Sequence, residues 1–125
     1  MSEATLKYVS ELMESLEIPY EFMHWNSGIP PDMYFVGEYI ESTSMTKEES
    51  GFQETTFILR GFTRQSWLLL EQAKAKIEAN MAKTAILDDG SGIAVFYDYS
   101  NPVPTGDAEL KSIKINLLIQ EWKVK

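Results

Sequence analysis

The chain has 125 residues, of which 44% are hydrophobic and 12% aromatic, and its formal net charge is −8. This size and composition predict a single domain over residues 1–125 and exclude a mainly disordered chain. The absence of cysteine excludes disulfide bonds, thiolate catalysis and sulfur-ligated metals.

The first predicted element is an amphipathic helix over residues 2–17. Its apolar side chains recur at intervals of three or four residues, which places them on one helical face. Ser2 is positioned to cap the helix, and Pro19 disfavours helical backbone at the residue before it, so the helix is expected to end there. The apolar positions of this helix are Leu6, Val9, Met13 and Leu16.

Three extended segments are predicted next, over residues 18–25, 33–41 and 52–63, in which successive side chains would lie on alternate faces of a strand. The sequence NSGIPPD at 26–32 is a turn-rich break between the first two. Residues 42–50 contain one apolar side chain and are interpreted as an exposed, mobile connection between two antiparallel strands. This connection is longer than most hairpin loops, which suggests a functional role.

After Thr63 the apolar spacing changes from two residues to three or four, so a second helix is predicted with Thr63 or Ser66 as its cap. On its exposed edge, Glu71, Lys74 and Glu78 are expected to form salt bridges. The apolar positions of this helix are Trp67, Leu70, Ala73, Ile77 and Met81.

The last third of the chain predicts two further strands. A tight turn over Asp88–Gly92 leads into a strand at Ile93–Tyr97, a loop at Asn101–Gly106 and a long closing strand at Glu109–Lys123. The predicted fold is α+β, in the order α-β-β-β-α-β-β, with a mostly antiparallel sheet of about five strands and both helices on one face. The other face, with Glu54, Arg60, Lys114 and similar residues, is expected to meet solvent or a partner.

Charge is distributed unevenly along the chain. Residues 1–59 have a net charge of −9, whereas residues 60–125 have a net charge of +1. Such an acidic protein is poorly suited to grip nucleic acid, which needs clustered lysine and arginine. The asymmetry is interpreted either as solvated acidic faces or as two unlike surfaces that favour ordered association. With no signal peptide and no apolar run long enough to cross a bilayer, the chain is expected to be soluble and cytoplasmic.

No residue pattern predicts catalysis, a cofactor or a metal site, so the protein is not expected to be an enzyme. His24 is the only histidine, and no serine has a nucleophile-elbow context. Glu38 and Glu54 lie in neighbouring predicted strands, where they could face each other as a carboxylate pair. Asp88 and Asp89 begin a turn that lacks the alternating ligands of a calcium-binding loop. A structural or solvated role is the simpler interpretation of each.

Several residues are candidates for a protein interface. Arg60 and Arg64 could form a small anion or interface site at the end of a strand, or simply face solvent. The chain also has more aromatic side chains than one small core is expected to bury, and large rings dominate binding at subunit interfaces. The aromatic candidates, placed at the ends of elements beside loops, are Phe52, Tyr99 and Trp122.

Three stretches resemble the tail-terminator and minor tail proteins of long-tailed bacteriophages and prophages. MYFVGEYIES is similar to a family strand in which a small residue precedes a Glu-rich end. TSMTKEESGFQETTFILRGFTRQSWLLLEQAKAKIEANM resembles the family's long loop, the strand after it and the following helix, and SIKINLLIQEW resembles its closing strand.

The resemblance implies a structural protein that forms a ring, usually of six subunits, on the head-proximal end of the tail tube. Such a ring stops tube polymerisation and contacts the head–tail connector, while DNA passes through its lumen as cargo. The implied partners are further copies of the chain, the tail tube protein and the connector protein, and the implied locations are the host cytoplasm and the virion tail. The long loop is expected to order against the tube, through Met45, Lys47, Glu48 and Glu49.

Two alternatives remain open at this point. Within the same class, the protein could be a head–tail connector component. In a different class, it could be a module that binds a small ligand or a peptide in the space between sheet and helices.

Overall fold

A computed structural model of the protein describes residues 1–41, 53–80, 83–87 and 89–122. Two helices and six strands lie within these residues, so the predicted α+β class is confirmed, with six strands where about five were expected. Their bounds are α1 Glu3–Ser15, β1 Tyr20–Phe22, β2 Met33–Glu41, β3 Gln53–Thr63, α2 Trp67–Asn80, β4 Lys83–Ile86, β5 Gly92–Val103 and β6 Lys111–Trp122.

The six strands form one sheet in the order β1-β2-β3-β6-β5-β4. β1 is parallel to β2, and every other neighbouring pair in this sheet is antiparallel. β3 and β6 therefore lie at the centre, and β1 and β4 lie at the two edges. β4 was not predicted, because a four-residue strand between a helix and a turn has too few alternating positions to be recognised.

Both helices pack on the same face of the sheet, which is called the inner face below. Val9 and Met13 of α1 and Leu70 and Ile77 of α2 are at most 1% exposed. They pack against strand residues that alternate with those of the opposite, outer face. The buried strand residues of the inner face are Phe35, Phe57, Leu59, Ile93, Val95, Ile113, Ile115, Leu117 and Ile119.

The start of α1 is tied to the end of β6 by a carboxylate. Ser2 caps the helix as predicted, since its hydroxyl accepts a hydrogen bond from the Thr5 backbone N–H. Oε2 of Glu121 accepts from the Ser2 N–H at 3.2 Å, from the Ser2 hydroxyl at 3.0 Å and from the fully buried Thr5 hydroxyl at 2.6 Å. A negative charge at a helix N-terminus also interacts favourably with the positive end of the helix dipole. This contact joins residues that are more than a hundred positions apart in the chain.

α2 begins as expected after the polar turn that ends β3. The Ser66 hydroxyl accepts from the Leu68 N–H, so Ser66 is the capping residue of the two candidates. The predicted salt bridge is present between Lys74 Nζ and Glu71 Oε2, 2.8 Å apart. This ion pair, together with the Trp67 indole N–H bonded to Glu71, lowers the pKa of the Glu71 carboxyl.

The predicted loop over residues 101–106 is wrong in its first half. β5 continues to Val103, and its residues Asn101 and Pro102 lie opposite Lys114 and Ile113 of β6. The register shifts between Tyr97 and Tyr99, which is the signature of a β-bulge. Local turn composition suggested a loop at this position, whereas pairing with the long strand β6 keeps the backbone extended.

The turn between β4 and β5 agrees with its prediction. The Leu87 N–H donates to the Ser91 carbonyl, and Gly90 has a φ of +87°, a backbone region that glycine enters without strain. Asp89 Oδ1 accepts from the Ser91 N–H at 2.9 Å, as turn-forming aspartates commonly do.

In the part of the chain that the structure describes, neither helix has the length and apolar character needed to cross a membrane.

Candidate functional site: the outer face of the sheet

The outer face of the sheet has no helix packed on it within the described residues. In an antiparallel sheet, residues that lie opposite each other point to the same face. The register therefore places side chains from β2, β3, β6 and β5 together on this surface. Its main members are Tyr34, Val36, Glu38, Ile40, Thr56, Ile58, Arg60, Phe62, Lys114, Asn116, Leu118, Trp122, Phe96 and Tyr99.

The centre of the outer face is charged. Arg60 Nε lies 2.5 Å from Glu38 Oε1, and both side chains are about one-third exposed. Lys114 lies directly opposite Arg60 on the neighbouring strand β6. The centre of the outer face therefore contains two cationic residues, of which Arg60 is paired with Glu38.

Asn116 lies beside this charged centre and is 1% exposed. Its neighbours across the strands are Ile58 and Tyr99. Its amide nitrogen Nδ2 is buried and has no acceptor among the described residues. An unsatisfied buried donor typically costs about 1–3 kcal/mol, so this amide lowers the stability of the single chain.

One side of the outer face has a row of three stacked rings. Trp25, from the segment after β1, has its ring centroid 5.4 Å from that of Tyr34. Tyr34 in turn stacks on Phe62 with a centroid distance of 5.3 Å. All three are partly exposed, so the row forms a semi-rigid apolar ridge along β2 and β3.

The other side of the outer face has large exposed apolar side chains on β5. Phe96 is 44% exposed and Tyr99 is 53% exposed. Simple alternation would place Tyr97 and Tyr99 on the same face, but the bulge between them sends Tyr97 to the core and Tyr99 to the outer face. Trp122 packs directly over Gly92, at the start of the same strand, where a Cβ atom would collide with the indole ring.

The structure places three of the predicted interface residues, namely Arg60, Tyr99 and Trp122, on the outer face, with Trp122 at the far end of β6 from the other two. Tyr99 lies in the middle of β5, so its predicted place at the end of an element is wrong. Arg64 lies apart in the turn after β3, where its guanidinium is 2.9 Å from Asp107 Oδ2. The remaining predicted interface residues, Met45, Lys47, Glu48, Glu49 and Phe52, lie outside the described residues, as does the connection at 42–50.

Sequence reasoning did not single out Phe96 or Asn116. The alternation in SIKINLLIQEW was a sufficient signal for Asn116, since it falls on the polar side of the closing strand with Lys114. The same signal was available for Phe96, because alternation within the predicted strand places it on the opposite face from Val95 and Tyr97, and the bulge comes later in β5.

The groups considered for acid–base or metal chemistry are dispersed. Glu38 lies opposite Ile58, four residues from Glu54, so the two carboxylates do not face each other as the sequence suggested. His24 is exposed in the segment after β1. Within the described residues, no cluster of three or more histidine, aspartate or glutamate side chains is arranged to hold a metal ion.

Comparisons with known proteins add no family to this description. Neither any model of a protein family nor any curated protein sequence matched this chain.

Proposed function

We propose that this protein is a structural assembly protein, a tail terminator of a long-tailed bacteriophage or prophage. It acts through protein–protein contacts alone: copies of the chain associate in a ring, cap the head-proximal end of the tail tube and connect the tail to the head. The observation that supports this proposal best is the outer face, where exposed rings lie on either side of a charged centre on a sheet whose helices pack on the other face.

The composition of the outer face suits a protein partner. Tyrosine, tryptophan, phenylalanine and arginine are enriched where binding energy concentrates in protein interfaces. The large aromatic side chains lie on either side of the Arg60–Glu38 pair, so a docked surface would shield that pair from water. In the single chain, these rings and the Arg60–Glu38 pair remain in contact with solvent.

The proposal is tested by polymerising the tail tube protein of the same phage with and without this chain and measuring tube length by electron microscopy. We expect substoichiometric amounts of the chain to stop tube growth, with a ring-shaped density at one end of each tube. Tubes that grow equally long in the presence of saturating protein would contradict the proposal.

A pair of matched variants tests the role of the outer face. Phe96→Ser combined with Tyr99→Ser removes two exposed rings from this face and should abolish capping while leaving the fold intact. Ile29→Ser combined with Leu68→Ser removes two side chains that are 94% and 60% exposed elsewhere on the molecule, and should leave capping unchanged. Equal capping by both pairs would reject the outer face as the interface.

A further inference from the structure

A second surface lies at the edge of the sheet and meets the outer face at Trp25. β1 has three residues and is the edge strand beside β2, with Tyr20 opposite Phe35. An edge strand presents backbone N–H and C=O groups to any chain that can pair with it. Natural edges of this kind are often protected by charge or by covering loops, so the surroundings of β1 determine what it can accept.

The hydrogen bonds to β2 show which backbone groups of β1 face outward. The Phe35 N–H donates to the Pro19 carbonyl at 2.8 Å, and the Met23 N–H donates to the Gly37 carbonyl at 2.7 Å. Because alternate residues of a strand bond to the same neighbour, residues 19, 21 and 23 are directed to β2. The N–H and C=O of Tyr20 are therefore directed to the open side of the sheet.

An open groove of about 390 Å³ runs beside this edge. Ser10 and Glu14 of α1 form one wall, and Glu21 and Trp25 are part of its opposite side. The groove thus has a strand edge between a helix and a partly exposed aromatic ring. This is the arrangement in which other proteins accept an added strand and select its side chains.

The lining of the groove is acidic. It contains the carboxylates of Glu14 and Glu21 and, among the described residues, no lysine or arginine side chain. Glu21 is held in place because its two oxygens accept from the Asn26 and Ser27 N–H groups, at 3.2 and 3.3 Å. A cation between these two carboxylates would also lie near the Trp25 indole, where a ring face attracts positive charge.

Trp25 adds an apolar surface to the groove. Its ring is partly exposed beside the two carboxylates, whereas its indole nitrogen Nε1 is buried and lies out of reach of an occupant. The backbone of Tyr20, the acidic walls and this ring therefore favour the same kind of occupant, an extended segment with a basic side chain.

We propose that the open edge of β1 accepts an extended segment of a protein partner as an additional strand, and that the groove between Glu14, Glu21 and Trp25 selects a lysine or arginine side chain of that segment. The site lies at the sheet edge and shares Trp25 with the outer face, but the proposal does not depend on the tail-terminator function. It requires only that the chain is folded.

The experiment uses the whole protein with its tryptophan indoles labelled with ¹⁵N. The probe is a blocked heptapeptide of alternating threonine and valine with one central lysine, and the matched probe has glutamate in place of the lysine. We expect the Trp25 indole resonance to shift on titration with the lysine peptide, with a dissociation constant of about 1 mM. No shift up to about 5 mM, or equal binding of the glutamate peptide, would overturn the proposal.

Charge reversal tests the acidic wall. Glu14→Lys should lower the affinity for the lysine peptide about fivefold and raise the affinity for the glutamate peptide. Glu78→Lys is the matched control, because Glu78 is also exposed near the end of a helix and changes the net charge equally. If both variants weaken binding to the same extent, the peptide is attracted by the net charge of the protein, and the groove is not its binding site.

Strand addition is separated from simple charge attraction by N-methylation. Two isomers of the lysine peptide are compared, each with alternate backbone amides methylated in one of the two registers. Because a strand pairs through alternate residues and the single lysine sets the register, one isomer should lose binding and the other should retain it. Equal binding by the two isomers, whether strong or weak, would overturn the proposal of an added strand.

Discussion

The two faces of the sheet differ in environment although the same strands build both. On the inner face, Phe35 and Phe57 are fully buried beneath the helices. On the outer face, Phe96 and Tyr99 are about half exposed, and they lie in the part of β5 that is not paired with β4. An aromatic ring stabilises the single chain mainly where a second layer covers it. The rings of the inner face therefore contribute more to the stability of the fold, and the exposed rings of the outer face are available for association.

The largest effect is expected from truncating one phenylalanine on each face. Phe57→Ala leaves a cavity in the core and should lower the free energy of unfolding by about 3–5 kcal/mol. Phe96→Ala should lower it by about 1 kcal/mol, because the ring is already half in water. Urea unfolding of the two variants measures both values. Similar losses would mean that the two faces are equally buried in solution.

The second comparison adds a methyl group on each face. At Gly61 an added Cβ would lie 2.5 Å from the ring of the fully buried Phe35, which has no space to move. Gly61→Ala should therefore cost about 2–3 kcal/mol of stability. Gly92→Ala meets Trp122, a half-buried side chain at the end of β6 that can swing outward, and should cost about 1 kcal/mol. Thermal unfolding of the two variants should preserve this order, and the reverse order would contradict it.

The third comparison concerns the contact that attaches helix α1 to strand β6. Thr5→Val keeps the shape of the buried side chain but removes a hydroxyl donor to the Glu121 carboxylate, so we expect a loss of about 1.5 kcal/mol. Thr5→Ser retains the donor and should lose less. Hydrogen exchange of α1 amides should accelerate in the valine variant more than that of α2. Uniform acceleration in both helices would show that this contact does not hold α1 specifically.

The smallest effect is expected at Asp107, in the connection between β5 and β6, outside both faces of the sheet. The Glu109 backbone N–H and the Arg64 guanidinium hold the pKa of Asp107 below its ordinary value of 3.8. A depressed folded pKa contributes stability above pH 3.8 that is lost as the pH falls through the lower, folded value. Arg64→Gln should raise the Asp107 pKa and flatten this acid dependence slightly. A carboxyl NMR titration of both proteins checks the shift, and an unchanged Asp107 pKa would exclude the ion pair as a cause.

Much of the fold could be predicted because neighbouring residues determine it. Two-residue alternation assigned Glu54, Arg60 and Lys114 to the outer face correctly, and helical spacing identified Leu70 and Ile77 as buried. The candidate site was predicted only in part. Arg60 and Trp122 were found, but Phe96 was missed, because alternation predicts the face of a side chain and not whether another layer covers it.

The sequence by itself determined the faces of its helices and strands, since periodicity is a property of residues close together in the chain. Only the tertiary structure decided the strand order, which places β6 between β3 and β5 and leaves β1 and β4 at the edges. It also decided that Asn101 and Pro102 remain in a strand and that Tyr99 turns outward. The physical reason is that strand pairing joins residues far apart in the chain, so its geometry depends on which partners the whole fold brings together.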